Sequence, residues 1–322
     1  MVSTFLTQSW GLQVPIVGAP MSPMAGGRLA AAVSNAGGLG MMGVASTQPV
    51  EQLQRDVAEV RGLLGERPYG IGLMVWALEA RPDLLEATIA AKPFAVSLSF
   101  GDPAPFVSRL RDAGIRVLSQ VQDRRSAIAA EAAGVDVVVA QGTEAGGHTG
   151  GVGTLPLLQI VLECVRVPVL AAGGIGSGRG LAAVLAAGAQ GAFLGTRLLV
   201  AEEARNSAVA RRELVAARET DTVHTHVFDV VQGIPWPEPF PGRAIANAFT
   251  KRWHGQESAL ARDEEAAHAF QAAREAEDYS SALIYAGQGV GLLERIEPAA
   301  DIVGRMAREA EGLLRAAASA VR

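Results

Sequence analysis

Apolar residues follow two alternating patterns along roughly the first 200 positions of the chain. Some runs are continuously apolar, as in Val169-Leu170-Ala171-Ala172, and the segments between them repeat apolar positions every three or four residues. Continuous runs are typical of strands buried on both faces, and the longer period is typical of helices. Eight runs read as strands: 16–19, 39–42, 70–74, 95–98, 116–120, 135–140, 169–172 and 192–194. Eight strand and helix units in this order predict an α/β fold, a (β/α)8 barrel.

A recurring dipeptide supports the alternation of helices and strands. Ala-Gly ends the segment before several predicted strands, at Ala36-Gly37, Ala113-Gly114, Ala133-Gly134 and Ala187-Gly188. A glycine just past a helix can adopt the left-handed conformation that turns the chain into the next strand. A doubly wound sheet uses the same turn, so the number of strands is what favours the barrel.

The pattern changes after Arg197. Residues 201–220 are helical in pattern and strongly charged, and 221–245 include a proline-rich stretch between Pro235 and Pro241. Beyond that stretch the sequence is again helical and polar as far as Ala282. This region is too long to be a simple connection between two barrel elements.

We therefore expect an inserted, mainly helical lid subdomain at 201–284 that covers the barrel mouth. The barrel is expected to comprise 1–200 and 285–322. Its last segment, 299–322, is rich in Ala, Leu and Arg and is predicted to be a helix that closes the barrel wall.

Composition excludes several classes of protein. The chain has 322 residues, is 49% hydrophobic and carries a net charge of −5, without the basic stripe that nucleic-acid binding requires. Its single cysteine, Cys164, allows no intramolecular disulfide, which favours a reducing compartment. No apolar run approaches the roughly 18 residues of a membrane helix. We expect a cytoplasmic enzyme that binds neither nucleic acid nor membrane.

Glycine-rich turns follow the last two predicted strands. Gly173-Gly174 comes after the seventh strand and Gly195-Thr196 after the eighth. In such barrels, the loops after these strands often bind a phosphate through backbone N–H groups, and glycine allows the close approach. The alternative is that these glycines only permit tight turns.

The end of the first strand reads Gly18-Ala19-Pro20-Met21, with Met24 close behind. Paired methionines usually fill gaps in a core. At a barrel mouth they could equally line one face of a flat heterocycle, and the residues leave both interpretations open.

The loop at 140–153 contains the most distinctive chemistry of the chain. His148 lies among glycines after a buried strand, and in this loop only His148 and Glu144 could transfer a proton. The alternative is a solvated loop histidine. His224 and His226 alternate as on an extended strand, but no third ligand is spaced to complete a metal site, so we expect them to pack in the lid.

These motifs together resemble the nitronate monooxygenase (2-nitropropane dioxygenase-like) family. Five stretches in order carry the resemblance: Val17-Gly18-Ala19-Pro20-Met21, the segment 31–40, Ala140-Gln141-Gly142-Thr143-Glu144-Ala145-Gly146-Gly147-His148, Ala171-Ala172-Gly173-Gly174-Ile175 and Leu194-Gly195-Thr196. The resemblance implies an FMN-dependent TIM barrel with a lid. It also implies oxidation of alkyl nitronates, and in some members nitroalkanes, by oxygen to a carbonyl compound and nitrite.

The resemblance also assigns roles to residues of this chain. His148 matches the catalytic histidine, which removes the α-proton of neutral nitroalkanes. The positions that match the flavin site are Ala19, Pro20 and Met21 at the isoalloxazine, Gln120 and Gln141 as hydrogen-bonding amides, Gly146, Gly173, Gly174, Gly195 and Thr196 on the phosphate side, and Phe193 and Leu194 next to them. No metal ligand is implied, and a homodimer is compatible with the family.

The third strand departs from the family pattern. Many members have Gly-Val-Asn-Leu-Phe there, with the asparagine at the flavin, whereas this chain has Gly70-Ile71-Gly72-Leu73-Met74. Gly72 falls at the flavin position but cannot supply an amide, so the substrate class could differ. The alternatives are an FMN-dependent NAD(P)H:quinone or enoyl-thioester reductase, and an FMN-binding accessory protein without nitronate turnover.

Overall fold

The computed structural model describes residues 2–320, and its centre is an eight-stranded parallel sheet. The sheet order is β1-β9-β8-β6-β5-β4-β3-β2. The strands of the chain are β1 Ile16–Gly18, β2 Met41–Gly43, β3 Gly70–Met74, β4 Ala95–Ser99, β5 Arg116–Val121, β6 Val137–Gln141, β7 Gly147–His148, β8 Val169–Ala172, β9 Ala192–Leu194, β10 Thr222–Thr225 and β11 Gly242–Ile245. All eight predicted strands are present in this sheet.

The first and last strands of this order meet, so the sheet closes. Val17 forms a parallel bridge with Leu39, just before β2. The Gly18 N–H donates to the Leu39 carbonyl at 2.9 Å, and the Leu39 N–H donates to the Ile16 carbonyl at 3.0 Å. The predicted (β/α)8 TIM barrel is confirmed.

Consecutive residues of a strand pack into two different apolar layers. On β6, Val137 and Val139 belong to the cluster inside the barrel, and Val138 and Ala140 belong to the cluster between strands and helices. Because both faces are covered, the strand has no polar face, which explains its continuous apolar sequence.

Helices surround the barrel and form most of the region after β9. They are α1 Phe5–Ser9, α2 Gly27–Asn35, α3 Val50–Leu64, α4 Val75–Leu78, α5 Pro82–Ala90, α6 Ala104–Asp112, α7 Arg124–Ala132, α8 Thr154–Cys164, α9 Gly178–Ala186, α10 Ala208–Ala216, α11 Val227–Gln232, α12 Ala248–Trp253, α13 Glu257–Leu260, α14 Glu264–Glu275 and α15 Ala299–Ala320, with 3-10 turns at Thr196–Val200 and Gln288–Leu292. Among the described residues, none of these helices combines the length and apolarity needed to cross a membrane.

The last helix completes the outer layer. α15 packs against α9 and α2, and Ile302, Val303 and Met306 are buried in the layer between strands and helices. The predicted closing helix is thus confirmed as far as Ala320. Positions 321 and 322, like Met1, lie outside the described residues.

The region at 201–284 is only partly helical. β10 and β11 form an antiparallel pair, and β11 also pairs with β7 of the 140–153 loop. The sequence analysis missed these strands because each has only four residues and β10 is mostly half-buried, so neither shows a strong apolar period. α11 to α14 enclose a separate apolar cluster that includes Phe228, Trp253 and Phe270. The proposed division into barrel and lid stays a prediction.

Candidate functional site

The carboxyl ends of the barrel strands surround an opening. The bodies of β1, β8 and β9 are fully buried, whereas Ala19, Gln120, Gly173 and Gly195 just beyond or at strand ends are partly exposed. β1, β9 and β8 are consecutive in the closed sheet and β5 lies beyond β6, so these residues lie at the same end of the barrel. The sequence analysis placed the site at this end of the barrel.

One side of the opening presents backbone N–H groups without partners. Within residues 2–320, no hydrogen bond is formed by the N–H groups of Gly173, Gly174, Gly195 and Thr196. β8 and β9 are neighbours, so the two turns lie side by side. Unpaired main-chain donors that converge on a partly exposed surface can bind an anion.

The turn after β9 is held by a buried ion pair between Arg197 and Glu297, which more exposed arginines extend. Arg197 donates to the Glu297 carboxylate at 2.6 Å and to the Leu292 carbonyl at 3.2 Å. Arg305 and Arg295 also bind Glu297, and the Arg305 hydrogen bond is the main cause that holds the Glu297 pKa below its ordinary value. The Thr196 hydroxyl accepts a 2.9 Å hydrogen bond from the Gly287 N–H, so it too is tied to the later segment.

Glu144 is a structural brace and does not face the opening as a proton-transfer group. Its carboxylate accepts from the Thr154 N–H at 2.8 Å and from the Thr154 hydroxyl at 2.7 Å. Its main-chain carbonyl accepts from the Gln288 N–H at 2.9 Å. His148 is the other side chain of this loop that can transfer a proton.

His148 is buried, with only 6% of its surface exposed, which contradicts the alternative of a solvated loop histidine. Residues of β7 pair with Gly242 and Arg243 of β11, which fixes the loop main chain. The Nε2 atom lies 2.8 Å from Oδ1 of Asp229 on α11. The sequence analysis missed Asp229, because 81 residues separate it from His148.

Gln141 supports His148 from the barrel side. Its amide N–H donates to the His148 carbonyl at 3.0 Å, and its amide oxygen accepts from Gln122 at 2.9 Å. Both ends of the Gln141 amide therefore have protein partners. Gln120, by contrast, forms no side-chain hydrogen bond within the described part of the chain and is partly exposed, so it is the free amide at this position.

Aromatic side chains surround the His148 imidazole. Trp236 stacks on it with ring centroids 3.4 Å apart and an interplanar angle of 10°. Phe100 and Tyr285 approach its ring edge-on at 6.3 and 5.4 Å. Phe240 packs on Phe100, which continues the aromatic cluster. No local sequence pattern predicts this cluster, because its rings come from separate segments of the chain, Trp236 from the proline-rich stretch.

Pro20 and Gly72 fit against each other. A Cβ atom at position 72 would lie 2.1 Å from Cγ of Pro20 and 2.3 Å from its Cβ. The absence of a side chain at Gly72 is therefore what allows the Pro20 ring to occupy its place. An asparagine at 72 would require the Pro20 ring or the adjoining main chain to shift.

The other predicted flavin contacts are main-chain or packing positions. The Phe193 and Leu194 side chains are buried in the two core layers, so only their main chains reach the opening. Gly146 lies against the main chain at 286–287, where a Cβ would meet Gly287 N at 2.6 Å. Met21 is partly buried against the layer between strands and helices and against a neighbouring apolar cluster, so it fills gaps in the core.

His224 and His226 hold the proline-rich stretch in place. His224 Nε2 lies 2.8 Å from the Pro241 carbonyl, and His226 Nε2 lies 3.0 Å from the Glu238 carbonyl. Burial, followed by the charge of Arg243, lowers the pKa of His224. A neutral imidazole with its proton on Nε2 donates to such a carbonyl, so both histidines pack in this region as expected.

Comparison with known proteins agrees with these features. A family model described as nitronate monooxygenase matches residues 3–91 and 79–309. FabK from Thermotoga maritima superposes with a TM-score of 0.87 at 29% identity over 100% of both chains. A nitroalkane oxidase from Streptomyces ansochromogenes has a TM-score of 0.81 at 32% identity, covering 97% of this chain and 98% of the other.

A curated relative from Rhodococcus jostii has a different described substrate. It is a (3aS,4S,5R,7aS)-5-hydroxy-7a-methyl-1-oxo-octahydro-1H-indene-4-carboxyl-CoA dehydrogenase, 36% identical over 180 residues, or 56% of this chain and 50% of the relative. The match thus spans about half the length of that relative. The family model and the nitroalkane oxidase similarity extend over most of the chain, and they confirm the resemblance found from the motifs: the chain belongs to the nitronate monooxygenase family.

Proposed function

We propose that this protein is an FMN-dependent oxidoreductase that uses oxygen to convert alkyl nitronates, and neutral nitroalkanes, to a carbonyl compound and nitrite. The observation that carries the proposal is the arrangement of the barrel mouth, where unpaired N–H donors occupy one side and the His148 imidazole belongs to the other. The first suits the phosphate of a cofactor, and the second suits proton removal from a substrate.

The described residues fit FMN. The N–H groups of Gly173, Gly174, Gly195 and Thr196 would hold its phosphate, because they have no protein acceptor among residues 2–320. Gln120 would supply a hydrogen-bonding amide. The assigned ring contacts are Ala19, Pro20 and Met21, with Gly72 behind Pro20 and the main chain of Gly146, Phe193 and Leu194 adjoining; Gln141 contributes by positioning His148.

When bound, FMN would supply the one- and two-electron chemistry that no side chain here can provide. The protein residues bind, orient and exclude water. His148 would take the α-proton of a neutral nitroalkane, a step that a nitronate does not need because it has already lost that proton. The apolar rings of Phe100 and Trp236 would exclude water from this side of the site.

A second candidate is an FMN-dependent NAD(P)H reductase acting on a quinone or an enoyl thioester. It is supported by the similarity to FabK over the whole length of both chains and by the glycine at position 72. The barrel mouth would then hold the same cofactor, and His148 would face a different substrate.

Spectra and product analysis of the purified protein separate these candidates. We expect flavin absorbance, anaerobic bleaching by a short-chain nitronate, and nitrite formation once oxygen is admitted. Bleaching by NADH without any response to nitronate would support the reductase. Flavin absorbance with no response to either reagent would support an accessory protein without turnover.

Replacement of His148 tests its role in this proposal. His148→Asn should lower the rate on a neutral nitroalkane by about 10²- to 10⁴-fold, the usual contribution of a general base, while the protein keeps its flavin. The rate on the corresponding nitronate should change far less. Equal rates for variant and wild type on the nitroalkane would remove His148 from the mechanism.

A further inference from the structure

Asp229 has an unusual set of neighbours for a buried carboxylate. Its side chain and that of His148 are each only 5% exposed, and Oδ1 lies 2.8 Å from His148 Nε2. The Tyr285 hydroxyl donates to the same oxygen at 3.4 Å. The second oxygen, Oδ2, has no hydrogen-bond partner within residues 2–320, and His226 Nδ1 lies 3.5 Å from it.

The donors around Asp229 determine which nitrogen of His148 carries the proton. A carboxylate can only accept, so the short contact requires a proton on Nε2 of His148. Burial and the negative charge of Asp229 raise the pKa of Tyr285 well above its ordinary value, so the phenol keeps its proton and also donates. Nδ1 of His148 forms no hydrogen bond within the described residues, so in the neutral ring its lone pair has no protein partner.

His226 does not compete for this role. Its Nε2 is occupied by the Glu238 carbonyl, so in the neutral ring Nδ1 carries a lone pair and cannot donate to Asp229. The shortest contact of the Asp229 carboxylate is therefore the one with Nε2 of His148.

We propose that Asp229 is a positioning residue that fixes the Nε2–H tautomer of His148 and leaves Nδ1 as the proton acceptor. The inference rests on the proposed function for its chemical step. In that step the Cα–H bond of a neutral nitroalkane breaks, its electron pair stays on the substrate as the nitronate, and the proton moves to Nδ1. The imidazolium that forms then faces the Asp229 carboxylate, which stabilises its charge.

The test combines a tautomer measurement with a comparison of two substrates. The chain has five histidines, so ring nitrogens in ¹⁵N-histidine-labelled holoprotein can be resolved by NMR, and the His148→Asn spectrum identifies His148. We expect the Nε2–H form in wild type and a mixed or Nδ1–H form in Asp229→Ala. The kcat of Asp229→Ala on a neutral nitroalkane should fall about 10- to 100-fold, less than the full contribution of a general base, while that on the nitronate is unchanged.

Two further variants keep the test decisive. Asp229→Asn retains side-chain volume and an acceptor oxygen, so it should partly restore the tautomer and the rate, and it serves if Asp229→Ala does not fold. Asp221→Ala removes an exposed carboxylate of the same region, which binds only the Arg218 N–H among its described contacts, and both readouts should stay at wild-type values.

Two results would overturn the inference: an unchanged His148 tautomer in Asp229→Ala, or equal losses on nitroalkane and nitronate. The second result would indicate a structural role. If the wild-type protein oxidises no nitronate, the proposed function fails, and the tautomer measurement still decides whether Asp229 positions His148.

Discussion

One side of the barrel mouth presents main-chain groups, and the other side presents side chains. One side, the turn rim, consists of main-chain N–H groups at 173–174 and 195–196. The other, the lid rim, consists of the side chains of His148, Asp229, Trp236 and Tyr285. Turn geometry is determined by neighbouring residues, whereas the lid rim depends on contacts between residues that lie 56 to 137 positions apart in the chain.

This difference suggests which part of the site family members can share, the cofactor site, and which part each can vary, the substrate site. A main-chain site is insensitive to side-chain substitution, so it suits a group common to all members, such as a phosphate. Large side chains on the lid rim determine the shape and polarity of the substrate site and can be replaced without loss of the barrel. The turn rim is thus expected to govern cofactor retention, and the lid rim substrate choice.

The largest effect should come from removing the charge that anchors the turn rim. Glu297→Gln leaves Arg197 buried without a carboxylate, which typically costs about 3–5 kcal/mol. We expect a lower free energy of unfolding in denaturant and loss of flavin on gel filtration. Glu294→Gln, an exposed carboxylate nearby, should change neither.

The pH dependence of the free energy of unfolding provides a second test of the role of Glu297. Because the Glu297 pKa is lowered in the folded protein, its contribution is present above its ordinary pKa and disappears as the pH falls through the folded value. Wild type should therefore lose stability in acid more steeply than Glu297→Gln. Parallel acid curves for the two proteins would show that this carboxylate does not stabilise the turn rim.

A smaller loss of stability is expected from a substitution at Gly72, which packs against Pro20. Gly72→Asn would force a side chain into the Pro20 ring and should lower the free energy of unfolding by about 1–3 kcal/mol, as overpacking usually does. Flavin content should fall with it. The double variant Pro20→Gly with Gly72→Asn should recover most of the lost stability, and Gly62→Asn, where nothing lies within 4 Å of the added Cβ, should behave as wild type.

The smallest effect should come from a substitution on the lid rim, and it should change the preference between two nitronate substrates. Trp236→Ala removes a stacked ring worth about 0.5–1.5 kcal/mol and opens space beside His148. We expect kcat/KM for a ring-bearing nitronate to rise about 2- to 10-fold relative to a short-chain nitronate, with flavin content unchanged and the free energy of unfolding lowered only by the lost ring contacts. Pro239→Ala in the same stretch should leave this ratio unaltered, and a loss of flavin in Trp236→Ala would contradict the separation of the two rims.

The same contrast explains which parts of the fold and of the site could be predicted from the sequence alone. The barrel strands were predictable because each is buried on both faces and reads as an apolar run, and the glycine turns follow them directly. Asp229 and Tyr285 carry no local signal, since an aspartate on a short helix and a tyrosine in a loop are ordinary surface residues until the chain folds. Glu144 looked like a candidate acid, and only its contact with Thr154 shows it to be a brace.

The pairing of β7 with β11 restricts how a substrate can reach His148. A movement of β11 away from the barrel would break its main-chain pairing with His148. Such a movement would therefore disturb the position of the histidine while exposing it. The stretch at 235–240 is attached more weakly, through its ring contacts and the His226 bond to the Glu238 carbonyl. A substrate would therefore be expected to reach the imidazole by displacing the Trp236 indole that covers it, and Pro235 and Pro237 restrict this displacement because each fixes its own φ.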